Sequence, residues 1–307
     1  MRVMVTGAGG MLADAIGPHL AYHRDETLGM FYTEEERLKF QDRFGKQVVR
    51  EFGPNLRRFA DFEGLLSAAA EFAPDWIFHC AAWTDVEGCQ SDPERAWRSN
   101  ALATLEIALV ARESGARLLY VSTDYVFDGN ASTPYKEDAP PSPLSEYGRT
   151  KLWGERFARY VVSDCLIVRT AWMYGPTGKN FVDTIRARLG DNQPVRVVND
   201  QRGSPTRATD LAIALRALAA SGAAGIVNVA NGGSATWYEI AVEIASTMNK
   251  SHLVSAITTA ELGLKAPRPR YSVLDTRRYF ELTGLPLPDW RGALHRYLGG
   301  GTPLKEG

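Results

Sequence analysis

Tyr147 and Lys151 stand four residues apart in the segment 142–155, SPLSEYGRTKLWGE. On a helix that spacing puts a phenol and an ammonium on one face. A free phenol, with a pKa of about 10, exchanges protons poorly at neutral pH. A nearby ammonium stabilises the phenolate and lowers that pKa, whereas burial alone raises it. A phenol tuned in this way suits carbonyl reduction, because it can protonate the oxygen while hydride reaches the carbon. The pair by itself carries little weight, since surface i,i+4 pairs are common. Ser122-Thr123 strengthens it. These hydroxyls follow residues 118–121 (LLYV), read as a strand, and ligands of open α/β sheets bind outside the carboxyl ends of the strands. A threonine hydroxyl placed there can hydrogen-bond a substrate carbonyl and the oxyanion that develops on it, or it can simply cap a turn.

A hydride source needs a cradle. Gly7-Ala8-Gly9-Gly10-Met11-Leu12-Ala13 follows the run RVMVT (residues 2–6) and opens a helical pattern over residues 11–21. Gly7 permits the tight turn, and Gly10 lets the backbone approach a pyrophosphate. The helix N-terminus then offers N–H groups and the positive end of its dipole. The spacing is Gly7, Gly10, Ala13 rather than a strict G-x-G-x-x-G, and Ala13 is small enough for helix and strand to pack. The acidic ribose ligand expected about 20 residues further on does not stand out, because Glu34, Glu35 and Glu36 are followed by Arg37. NADH and NADPH both remain open.

The elements around these residues alternate. Strands are expected near residues 2–6, 27–32, 76–80, 118–121 and 165–169, and helices near 11–21, 62–72, 145–162 and from Asp92-Pro93 to about Ser114. Short apolar strands alternating with helices indicate an α/β fold, a Rossmann-type doubly wound parallel sheet covered on both faces. The alternation loosens after Thr170. The expected organisation is a dinucleotide-binding domain over 1–170 and a smaller C-terminal α/β substrate domain over 171–307, with segments near 195–230 able to return to the first. The charged stretch 33–56 reads as an insertion.

Composition narrows the function. With 35 basic against 36 acidic residues, no global field favours nucleic acid or an anionic membrane, so a small-molecule partner is expected. The three cysteines (Cys80, Cys89, Cys165) and five histidines show neither a disulfide framework nor ligand spacing, and no metal is expected. No apolar run reaches the roughly 20 residues of a membrane helix, and the start MRVMVTGAGG is unlike a signal peptide. A cytoplasmic enzyme is expected.

The motifs together resemble the extended short-chain dehydrogenase/reductases, and within them the dTDP-4-dehydrorhamnose reductase family. The likeness is carried by FHCAAWTDVE (78–87), STDYVFDG (122–129), SPLSEYGRTKLWGE (142–155), RTAWMYG (169–175), NDQRGSPT (199–206) and PRPRYSVLDT (267–276). The resemblance implies that Tyr147 is the proton donor, Lys151 its activator and a ligand of the cofactor ribose, and Thr123 the carbonyl anchor with Ser122 beside it. It implies that Trp172 lines the sugar pocket and that Gly7, Gly10, Met11 and Leu12 meet the pyrophosphate. Ala81, Ala82 and Trp83 would run along the cofactor, and Asn100 would support the lysine through water. The implied reaction is NAD(P)H-dependent reduction of the 4-keto group of a nucleotide-linked, dTDP-type 6-deoxy-4-ketohexose.

The chain departs from the family pattern at Ala13, in the long 33–56 segment and at Arg57-Arg58-Phe59, where an acidic residue facing the adenine is usual. A reductase of another deoxysugar therefore stays open. So does a nucleotide-sugar dehydratase or epimerase, although dehydratases of this fold resemble the pattern with an Asp-Glu pair after the threonine where this chain has Asp124-Tyr125. The oligomeric state is open too, with a homodimer among the options.

Overall fold

Short runs of apolar and β-branched residues, too brief for stable helices, build the sheet that positions the site. The computed structural model describes residues 1–30 and 62–299. The segment 33–56 and Arg57-Arg58-Phe59 lie outside the described residues. Six strands pair in parallel: β1 (Arg2–Thr6), β2 (Glu26–Met30), β3 (Trp76–His79), β4 (Arg117–Thr123), β5 (Leu166–Thr170) and β10 (Gly225–Asn228), in the order β2-β1-β3-β4-β5-β10. The remaining strands are short pairs: β6 (Met173–Tyr174) with β9 (Thr206–Arg207), β7 (Val195–Val198) with β12 (Val254–Ile257), and β8 (Arg202–Gly203) with β11 (Ala235–Thr236).

Alternation along each strand sends side chains to opposite faces. Val3, Val5, Phe78, Leu119, Val168 and Val227 pack against α1 (Met11–Tyr22) and the later helix Ala208–Ala220. Met4, Ile77, Leu118, Tyr120 and Ile167 face the other side. They meet α2 (Phe62–Phe72), the long helix α4 (residues 93–114) and α5 (Glu146–Val161). Both faces are covered, as a parallel sheet requires. Between α2 and α4 lies α3 (Val86–Ser91).

Asp92 caps the start of α4, its side chain accepting from the Arg95 N–H, with Pro93 at the first helical position. This helix runs Pro93–Ala96, passes through a π-helical stretch Trp97–Leu102, and continues as Ala103–Ser114 to a left-handed Gly115. Ser145 caps α5 by accepting from the Gly148 N–H at 3.2 Å.

A second, smaller core gathers Val182, Ile185 and Leu189 of α6 (Phe181–Gly190), Val195 and Val197 of β7, Trp290, and Ile240 and Ile244 of the helix Trp237–Thr247. The chain does not divide once at residue 170. α7 (Ala208–Ala220) packs on α1, and β10 joins the main sheet beside β5, while β7 stays with the smaller core. The helix Trp237–Thr247 is α8. No helix among the described residues is long and apolar enough to cross a membrane.

Candidate active site

The carboxyl ends of β1, β3, β4 and β5 define one edge of the sheet, and the residues singled out in the sequence gather along it. At the end of β1, Gly7 adopts a left-handed φ of +74°. A β-carbon on it would lie 2.8 Å from the Ala81 backbone, because β1 and β3 are neighbours in register. Glycine is required there twice over, by conformation and by space. Gly10 is the N-cap of α1 and offers no side-chain cap, so the first-turn N–H groups, those of Met11 and Leu12 included, face no capping side chain of their own. An uncapped helix start on a glycine floor at the carboxyl edge fits the pyrophosphate of a dinucleotide. Ala81 lies across from this turn, its N–H donating to Thr6 Oγ1 at 3.3 Å.

The segment Ala81-Ala82-Trp83 is tied down at Trp83. The Trp83 N–H donates to Asn100 Oδ1 at 2.8 Å, and Asn100 Nδ2 returns a bond to the Trp83 carbonyl at 3.1 Å. The same amide donates to Thr150 Oγ1 at 3.2 Å, one residue before Lys151. Asn100 sits in the π-helical stretch of α4. Its side chain is buried there, and such π-helical turns are frequent at functional sites.

Tyr147 and Lys151 both lie on the buried face of α5. Burial pushes the Tyr147 phenol well above its ordinary range, and hydrogen bonding with Thr123 pulls it back. Its ring meets Tyr125 edge-on, with centroids 5.7 Å apart. Lys151 Nζ donates to the Val121 carbonyl at 2.7 Å and lies 4.3 Å from the centre of the Tyr120 ring. Burial lowers the ammonium from its usual 10.5 to about 7, with the Glu155 carboxylate working the other way. Gly154 makes this approach possible, since a β-carbon there would collide with the Tyr120 hydroxyl.

Thr123 and Ser122 are the last two residues of β4 rather than the start of a loop, so they point to opposite faces. Thr123 Oγ1 donates to Asp124 Oδ1 at 3.1 Å and accepts from the Tyr125 N–H. Ser122, expected beside the substrate, is instead committed to α5. Its Oγ donates to Glu155 Oε1 at 2.6 Å, and Arg169 grips the same carboxylate through Nε at 2.9 Å and Nη2 at 2.7 Å. This buried pair, extended by Arg169 Nη1 to the Glu137 carbonyl, is bidentate and fully hydrogen-bonded. A buried charge needs such partners.

Trp172 lies just past β5 with a left-handed φ of +46°, a conformation that bulky residues adopt only where surrounding structure enforces it. Its indole stacks on Trp237 with centroids 3.7 Å apart and planes within 7°. A β-carbon on Gly203 would reach that indole at 2.5 Å. Trp237 Nε1 donates to Gln201 Oε1 at 3.2 Å. Trp237 and Gln201 escaped the reading from sequence, although TWYE carries a visible helix start: Thr236 and Glu239 form a capping box.

A strap from the C-terminal half closes over the strand ends. Glu87 accepts from the Lys265 and Ala266 N–H groups and from Arg268 Nη1 at 2.8 Å. Ser272 Oγ donates to Asp124 Oδ2 at 2.5 Å.

The fit between α5 and the turn after β4 depends on Gly148, because a β-carbon there would collide with the Tyr125 carbonyl oxygen. Gly→Ala inside a helix ordinarily gains about 1 kcal/mol, whereas overpacking against rigid backbone costs about 1–3 kcal/mol. Gly148→Ala is therefore expected to lower stability despite its better helix propensity. Denaturant unfolding checks this, and a variant more stable than the parent would contradict the packing described.

Residues 1–301 match the family model described as RmlD substrate binding domain. This chain belongs to that family. It is 38% identical over 301 residues to a dTDP-4-dehydrorhamnose reductase of Streptomyces griseus, covering 95% of this chain and 91% of the relative. It is 36% identical over 297 residues to the spore coat polysaccharide biosynthesis protein SpsK of Bacillus subtilis, covering 97% and 96%. A crystal structure of dTDP-4-dehydrorhamnose reductase from Bacillus anthracis in complex with NADP superposes with a TM-score of 0.82 at 31% identity, covering 97% of this chain and 99% of that one. The RmlD family match extends through both cores, so the Rossmann-type sheet and the smaller lobe are parts of one familial architecture.

Proposed function

We propose that this chain reduces the 4-keto group of a dTDP-linked 6-deoxy-4-ketohexose with NAD(P)H, the reaction of dTDP-rhamnose biosynthesis. The observation that carries the reading is the convergence of Thr123, Tyr147 and Lys151 beside the glycine turn at one edge of the sheet. The family match and the reductase relatives give the substrate class. Gly7, Gly10, Met11 and Leu12 hold the pyrophosphate, and Ala81, Ala82 and Trp83 run along the cofactor. The bound nicotinamide supplies the hydride. Tyr147 gives its proton to the carbonyl oxygen, Thr123 holds that oxygen in place, and Lys151 ligates the ribose and lowers the phenol's pKa. Trp172, set on Trp237, forms a flat wall for the sugar, and the smaller core around these two rings carries the substrate-binding part.

A dehydratase needs an acid–base pair after the threonine. Here that position is Tyr125, and burial next to the Asp124 carboxylate pushes its phenol far above the neutral range. A reductase consumes its cofactor, whereas a dehydratase returns the hydride to its own substrate. Exogenous NADH or NADPH is therefore expected to disappear one-to-one with the keto sugar converted. A stopped assay comparing absorbance loss with product formed checks this, and product without equivalent cofactor oxidation sinks the reading.

A further inference from the structure

Asp124 sits between the proposed proton donor and the strap, and the mechanism above leaves it unused. Its carboxyl group is buried. Ser272 Oγ donates to Oδ2 at 2.5 Å, and Thr123 Oγ1 donates to Oδ1 at 3.1 Å. Thr123 has a single hydroxyl proton, which the 3.1 Å contact directs towards the Asp124 carboxylate when that group is charged. Thr123 also interacts with Tyr147 in the sense that favours the phenolate, so its hydroxyl can turn from Asp124 to donate to the phenol oxygen once that oxygen is charged. The line Ser272–Asp124–Thr123–Tyr147 is a continuous relay from the strap to the phenol.

We propose that Asp124 is a positioning residue that restores the Tyr147 proton through Thr123. The inference rests on Tyr147 being the proton donor in the proposed reduction. When Tyr147 has given its proton to the product oxygen, it is a phenolate. Neutral Asp124 then passes its acid proton to Thr123 Oγ1, and the original Thr123 proton moves to the phenolate oxygen. The O–H bond of Asp124 breaks, the O–H bond of Tyr147 forms, and Thr123 exchanges one O–H bond for another. The end state is a carboxylate at Asp124, a Thr123 hydroxyl donating to it, and a neutral phenol. Asp124 regains a proton from water between turnovers. No oxidation state changes in this step.

The electrostatics suit the task. Burial raises the Asp124 carboxyl to about 7, against the lowering pull of Ser272, of Thr123 and of the Asp124 and Tyr125 backbone N–H groups. The titratable groups facing it are Tyr147 and Tyr125, with Arg268 and Glu87 beyond Tyr125. A donor with this affinity is about half protonated at neutral pH and far more acidic than the phenol it serves.

The test is the pH dependence of kcat at saturating cofactor and dTDP-4-keto-6-deoxyhexose for the parent, Asp124→Asn and Ser272→Ala. In the parent, kcat should fall as pH rises through about 7, as the neutral acid is lost. Asp124→Asn keeps the shape but cannot lend a proton. It should lower kcat at pH 6 by about tenfold or more and remove the falling limb. Ser272→Ala removes a hydrogen bond to the carboxylate and should move the limb up by about one pH unit. A merely structural role would lower kcat without moving the limb. If Asp124→Asn keeps the parent's limb, the titration belongs elsewhere, Lys151 first, and the relay is overturned. If Asp124→Asn fails to fold or to turn over, Ser272→Ala decides, and an unmoved limb overturns the proposal. A folded parent with no turnover on any 4-keto sugar would instead sink the reductase reading, and the relay with it.

Discussion

Replacing Tyr147 by phenylalanine is expected to lower kcat by about 10²–10⁴, the range in which positioned general acids act, while the protein stays folded and binds cofactor. The ring keeps its edge contact with Tyr125 and its place beside Cys89 and Ala96. The lost hydroxyl removes its interaction with Thr123. A neutral pair of this kind contributes about 1 kcal/mol, too little to unfold a chain of this size. The loss must therefore appear in turnover and hardly at all in melting temperature or in cofactor titration by fluorescence. Near-parental kcat in Tyr147→Phe would remove the phenol from the reaction.

The sheet and most of its helices are legible in the sequence because their signals are local. Asp92-Pro93 marks a helix start that the structure reproduces with a side-chain cap. Residues 62–72 form the expected helix, and the strand read at 76–80 forms over Trp76–His79. The glycine turn is legible for the same reason: Gly7 and Gly10 act through their own backbones. The π-helical stretch that holds Asn100 has no local signature, and Asn100 meets α5 through Thr150 only in the fold.

The site is less legible where it depends on faces and distant partners. Strand alternation decides between Ser122 and Thr123. Reading β4 as ending at residue 121 hid the fact that both belong to the strand and point opposite ways. Asp124 and Ser272 are 148 residues apart in sequence, and nothing in either motif announces the other. Trp172 was visible as an aromatic in RTAWMYG, but its left-handed backbone and the Trp237 platform arise only when the smaller core brings distant segments together. Likewise the sequence allowed segments near 195–230 to return to the first domain without marking a strand there, and only the register with β5 places β10 in the main sheet.

Lys151 presents the sharpest conflict between stability and chemistry, and Lys151→Met should separate them. Methionine is unbranched, close in volume and free of charge. The ammonium of Lys151 is held in a site that lowers its pKa from 10.5 to about 7, a penalty on the order of a few kcal/mol. The Tyr120 ring offsets part of it, with cation–π contacts contributing about 0.5–2 kcal/mol, as does the bond to the Val121 carbonyl. Because the folded pKa lies below the unfolded one, the penalty is full below about pH 7 and fades as pH rises towards 10.5. Lys151→Met is therefore expected to melt several degrees above the parent at pH 6, with an advantage that shrinks steadily by pH 9. Its kcat should fall by about 10²–10⁴, since the phenol loses the cation that activates it. Thermal melts of both proteins at the two pH values, run beside steady-state kinetics, check both halves. A variant less stable than the parent at pH 6 would show that the lysine is welcome where it sits, and a variant with full turnover would remove it from the reaction.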